Sequence, residues 1–170
     1  MKDEIVFSET QRFKQWWLWV ILIGINALLF FTFFRQVIGG QPVGERPMSN
    51  PELFIMMSLV MLITISFYFF RLETRISKEG IYVRFFPFHF SFRSYSWSEI
   101  SKSYVRDYKP IPEYGGWGVR TGLFGKGKAF NVSGNKGLQL QFNDGRKLLI
   151  GTNEAVELTE ALKKLKHYKE

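Results

Sequence analysis

Trp16 to Phe34 reads WWLWVILIGINALLFFTFF, and Leu53 to Phe70 reads LFIMMSLVMLITISFYFF; neither stretch holds a charged residue. At 1.5 Å rise per residue, helices of these lengths reach roughly 27–28 Å, about the thickness of a bilayer's hydrocarbon core. Pro42, Pro47 and Pro51 with Gly39, Gly40 and Gly44 mark a turn-rich connection between them. Pro51 suits the first turn of the second helix. The predicted organisation is an N-terminal segment (1–15), a two-helix transmembrane hairpin (16–70, spans 16–34 and 53–70, loop 35–52) and a polar domain (71–170). A cleaved signal peptide would have a shorter apolar core and a small-residue cleavage site. No such site precedes Arg35, and a second run of similar length favours the hairpin.

Outward from the runs, charge sets orientation. Lys2, Arg12 and Lys14 precede the first run, and Arg71, Arg75, Lys78 and Arg84 follow the second, whereas the connection carries only Arg35 and Arg46. That bias predicts a multi-pass protein of the inner (cell) membrane with both termini cytoplasmic. Trp16, Trp17, Trp19 and Tyr68 suit interfacial anchoring. Asn26 is the one strongly polar side chain deep in the first run. It is expected to bond within the hairpin, with a bond to another protomer as the alternative. Neither span has an ionisable residue, so a proton relay or ion pathway has no carrier.

The five basic and five acidic residues before Arg71 cancel, so the net charge of +8 lies wholly in residues 71–170. A basic domain tethered at a bilayer is drawn toward anionic headgroups; the same charge also serves plain solubility. The chain has no cysteine. Disulfides, thiolate metal sites and Cys nucleophiles are therefore excluded.

Within the domain, alternating residues flank the turn Lys78-Glu79-Gly80, a hairpin signal. Phe88 to Ile100 (FHFSFRSYSWSEI) alternates at period two and reads as a strand, as does Ser101–Tyr108. The following YKPIPEYGGWGVRTG is too broken by Pro and Gly for a helix. Lys128–Val132, Leu138–Phe142 and Lys147–Ile150 read as short strands separated by turns at Ser133–Gly137 and Asn143-Asp144-Gly145. The chain then changes period: Ala155, Leu158, Ala161, Leu162 and Leu165 share one helical face, with Thr152 or Asn153 as cap. The predicted fold is a membrane α-helical hairpin plus an α+β domain, a bent antiparallel sheet of six or seven strands closed by a C-terminal helix.

Few constellations carry chemistry. Gly122–Lys128 satisfies G-x-x-x-x-G-K, but Ala129 stands where a phosphate loop needs Ser or Thr, and a strand follows instead of a helix. His89 and His167, the only histidines, have no ligand spacing and read as ordinary surface or strand residues. No nucleophile elbow, dinucleotide fingerprint or nucleic-acid recognition motif occurs. No catalytic residue, cofactor or metal site is expected, and no nucleic-acid partner. The strongest interaction candidate is the loop region of Tyr114 and Trp117, with Arg106, Lys109, Glu113 and Arg120 as its charged rim and Lys126 and Lys128 beyond. The alternative is structural: Trp117 plugs the sheet and Glu113 pairs with Arg120.

Tyr108-Lys109-Pro110-Ile111-Pro112-Glu113-Tyr114-Gly115-Gly116-Trp117-Gly118-Val119-Arg120 is similar to the signature of a two-span branch of the bacterial pleckstrin-homology-like (PH-like) membrane proteins. Lys128–Leu138, Asp144-Gly145 and Leu149–Thr152 resemble them too. The resemblance spans nearly the whole chain. It implies a PH-like split barrel and membrane anchoring, and it implies no activity. The first hairpin turn, Ser77-Lys78-Glu79-Gly80, lacks the basic cluster of lipid-binding eukaryotic relatives. The expected function is a non-enzymatic membrane-anchored adaptor that binds a protein partner, itself or anionic lipid at the inner leaflet. The alternative is an accessory subunit of a larger membrane enzyme or transporter.

Overall fold

The computed structural model describes residues 4–122 and 125–169. They form two compact units, Lys14–Phe69 and the remainder, residues up to Phe13 together with those from Phe70 onward.

The first unit is the helical hairpin. Helix α1 (Trp16–Phe33) runs on into a π-helical turn (Phe34–Ile38), and α2 spans Asn50–Phe69. The second helix starts earlier than the apolar run because Ser49 and Glu52 make a cap: Glu52 Oε2 accepts from the Ser49 backbone N and hydroxyl, both 2.8 Å. Asn26 bonds within the hairpin as expected. Its Nδ2 donates to Leu22 O at 2.7 Å and to Thr64 Oγ1 on α2 at 2.8 Å. Side chains such as Val20, Leu28, Leu59 and Leu62 are exposed, and both helices are long and apolar enough to span a membrane.

The second unit holds two sheets and a C-terminal helix. The first sheet is a meander of β1 (Ile5–Arg12), β2 (Arg71–Ser77), β3 (Gly80–Phe86) and β4 (Arg93–Ser96). Residues 5–12, placed by sequence in a separate N-terminal segment, are thus an integral strand, with Arg12 opposite Arg71 and Phe7 opposite Ile76. Its inward positions are Phe7, Glu9 and Gln11, so apolar alternation does not announce it. Both polar side chains bond across the domain, although the buried Gln11 Oε1 has no partner among the described residues. Gln11 Nε2 donates to Gly151 O at 2.6 Å, while Glu9 accepts from Thr152 Oγ1 at 2.6 Å and Asn153 N at 2.8 Å. Burial raises the Glu9 pKa, and these bonds work against that rise.

The second sheet runs β5 (Ile100–Asp107), β8 (Lys136–Phe142), β9 (Lys147–Gly151), β7 (Lys128–Asn131), β6 (Gly118–Thr121), in that spatial order. The six or seven antiparallel strands expected are nine among the described residues, and β7 pairs parallel with β9. Ser133–Gly137 therefore does not close a hairpin; it carries the chain past β9. Two local readings also change. Pro87–Phe92 is a turn rather than strand, closed by His89 N donating to Phe85 O at 2.8 Å. Pro110–Tyr114 forms a short helix, α3, with proline at its start and Gly115 at φ 70° ending it. The C-terminal helix α4 (Ala155–Lys164) buries Leu158, Ala161 and Leu162 as predicted. Its N-cap is Glu154 rather than Thr152 or Asn153, with no side-chain cap bond; Thr152 Oγ1 instead accepts from Glu154 N at 3.0 Å, just ahead of the helix.

Candidate functional site

The loop region singled out by sequence is mostly a structural brace. Helix α3 folds back toward β5, so Glu113 meets Arg106: Nη2 donates to Glu113 Oε2 at 2.8 Å and Nη1 to Oε1 at 3.3 Å. Lys109 contributes its backbone N to Glu113 Oε1 at 2.7 Å, and Lys126 Nζ lies 3.9 Å from Oε2. Burial raises the Glu113 pKa, but the Arg106 and Lys109 hydrogen bonds outweigh it and leave the carboxyl below its ordinary value. Tyr114 is not a recognition surface. It is 2% exposed and packs in a cluster with Tyr108, Ala129 and Leu149, its ring 6.0 Å from that of Tyr108. Burial pushes the Tyr108 hydroxyl up to about 12, and that hydroxyl accepts from Asn131 Nδ2 at 3.1 Å.

Arg120 is not the partner of Glu113. Its Nε donates to Trp117 O at 2.9 Å, on the far side of a backbone reversed by Gly115, Gly116 and Gly118 at φ 70°, 119° and 119°. Trp117 does not plug the core either. It is half-buried, with Nε1 donating to Gly134 O at 3.2 Å. The candidate residues thus divide: Arg106, Lys109, Glu113, Tyr114 and Lys126 converge, Trp117 and Arg120 form a separate corner, and Lys128 faces elsewhere.

Lys128 faces a cleft of about 380 Å³, within the range of small-ligand sites. Its rim carries Arg93, Lys128, Arg146 and Lys147, and its apolar lining includes Tyr95, Phe142 and Leu148. The Tyr95 and Phe142 rings lie 5.3 Å apart, and the Arg146 guanidinium sits 5.1 Å from the Phe142 ring centre. Asp144 pairs with Arg146 at 2.5 Å, and among the described residues Arg93, Lys128 and Lys147 make no ion pair. Buried His89 stands behind this charge. Its ring lies 5.1 Å from that of Phe130. Burial lowers its pKa first, and Arg93 and Lys128 lower it further.

Backbone geometry builds the cleft. Parallel pairing sets Lys128 opposite Leu148, bringing two lysines 19 positions apart in sequence to one rim. Gly127 lets the preceding loop lie against β9: its φ is +80°, and a Cβ there would stand 2.2 Å from Lys147 O. The G-x-x-x-x-G-K match falls in this loop. Lys128 opens a strand, so no phosphate-loop helix follows, and Leu123 and Phe124 lie outside the described residues. Sequence reading missed Arg93, Arg146 and Lys147. The only signal was the cationic run after Asn143-Asp144-Gly145, which turn chemistry already explained.

The histidines are not ordinary surface residues. His89 Nδ1 accepts from Phe85 N at 3.3 Å, and His167 stacks on Trp97 with ring centres 4.1 Å apart. Among the described residues no group of three His, Asp or Glu is placed to hold a metal ion. No protein-family model matches the chain, and no curated protein matches it.

Proposed function

We propose that this protein is a membrane-anchored, PH-like, non-enzymatic binding module of bacterial type that holds anionic lipid headgroups at the cytoplasmic leaflet of the inner membrane. The observation that carries it is the cleft, where three exposed cations with no acidic partner among the described residues surround an apolar lining. A phosphate suits such a rim, since each well-placed Lys or Arg near an anionic surface contributes about 1 kcal/mol. The apolar lining accepts the glycerol or acyl stem beneath it. Two sheets and a C-terminal helix agree with a split barrel. Pairing of β1 with β2 supports the hairpin topology, since strands on either side of the two helices share one sheet. The positive charge of residues 71–170 supports the cytoplasmic side.

Native mass spectrometry of the full chain released from detergent tests the reading. Wild type is expected to retain phosphatidylglycerol over phosphatidylcholine, and Arg93→Gln/Lys128→Gln/Lys147→Gln to lose that preference. Equal retention by both proteins would overturn the cleft as the lipid site. A stoichiometric membrane protein bound to the wild type, with no lipid preference, would instead make the chain an accessory subunit.

A further inference from the structure

The turn Pro87–Phe92 presents two phenylalanines that the domain does not bury. Phe88 is 59% exposed and Phe90 80%. They flank His89, which turns inward and locks the turn through its two bonds to Phe85. The turn is therefore built and its rings point out by design of the backbone, one residue either side of an anchored position. An exposed aromatic pair of this kind calls for a cover.

Position in the chain names that cover. Phe88 packs 5.5 Å from Phe70, and Phe70 packs 6.1 Å from Phe13. Phe70 directly follows the last residue of α2, and Phe13 stands three residues before α1. The exposed turn thus sits one ring away from the points where the chain leaves for both helices. Cations accompany it: Phe92 lies between the guanidinium groups of Arg75 and Arg84, at 4.5 and 4.6 Å. Aromatic rings backed by arginine match the layer where headgroups meet acyl chains.

We propose that Phe88 and Phe90 insert into the interfacial layer of the leaflet that receives the two helices, with Arg75 at the level of the lipid phosphates. This rests on the helices spanning a bilayer but is independent of the cleft. The aromatic turn then acts as a third contact with the membrane and fixes the orientation of the domain on the leaflet.

The cysteine-free chain allows single-site labelling. Phe90→Cys, Leu28→Cys in α1 and Val156→Cys in α4 are each labelled with an environment-sensitive nitrobenzoxadiazole dye. The full-length proteins are reconstituted in phosphatidylcholine–phosphatidylglycerol vesicles, with and without nitroxide on the upper acyl chain. The expected result is blue-shifted, strongly quenched emission at positions 28 and 90, and aqueous, unquenched emission at 156. Position 90 behaving like 156 while 28 is quenched would overturn the insertion and leave the spanning helices intact. Position 28 unquenched would overturn both. Phe88→Cys gives an independent reading of the same turn.

Discussion

At the scale of single residues, Glu113 decides what the aromatic loop is for. Its carboxylate accepts from Arg106 and from the Lys109 backbone, so two of the four charges of the expected recognition rim, Arg106 and Glu113, are spent on holding α3 to β5. Arg106→Met leaves a half-buried carboxylate with its main partner gone, a loss expected to cost about 1–3 kcal/mol. Arg120→Ala, at an exposed position whose Nε donates to Trp117 O, is expected to stay within about 0.5 kcal/mol of wild type. Tryptophan-fluorescence melts of the full chain in detergent check both. Equal melting points for the two variants would contradict the brace. Sequence order made Arg120 as plausible a partner as Arg106, since each lies seven residues from Glu113. The left-handed glycines between them turn Arg120 away, and that reversal has no signature beyond the glycines themselves.

At the scale of elements, β1 is the strand that local pattern hides. A half-buried strand normally shows an apolar inward face, but Glu9 and Gln11 occupy it because the end of β9 and the two residues after it supply hydrogen bonds. The same strand covers β2, whose backbone would otherwise be an open edge next to a buried face. Residues 70–170 alone are therefore expected to aggregate or melt without cooperativity. Residues 4–13 joined to them by a flexible linker in place of the helices are expected to give a monodisperse, cooperatively melting domain. Size-exclusion chromatography and thermal circular dichroism separate the two outcomes, and a well-folded 70–170 fragment would refute the role given to β1. The turn at Lys78-Glu79-Gly80, the β8–β9 turn and the amphipathic α4 were legible because each is specified within a few residues. The Pro87–Phe92 turn was not, since alternating Phe is equally the pattern of a strand, and only the anchoring of His89 distinguishes them.

At the scale of the whole molecule, the chain leaves the β domain after Phe13 and rejoins it at Phe70. On the proposed topology Ser8 and Val156 lie on the same side of the membrane, with Gly44 in the connection opposite. A membrane-impermeant maleimide added to intact cells is expected to label Gly44→Cys only, and Ser8→Cys and Val156→Cys only after permeabilisation. Labelling of Ser8 and Val156 on different sides would refute the hairpin. The same closure gathers the cationic rim: Arg93 comes from the first sheet, Lys128 and Lys147 from neighbouring parallel strands of the second.

By itself the sequence determined the two apolar helices, the surplus of positive charge beyond residue 70 and the closing amphipathic helix. Composition and periodicity act over one turn or one strand and need no distant partner. Only the tertiary structure decided that residues 5–12 join the sheet, that β7 lies beside β9 and that Arg93, Lys128 and Lys147 share one cleft. Each of these is a pairing between segments far apart in the chain, settled by which backbone edges and buried polar groups find partners in three dimensions.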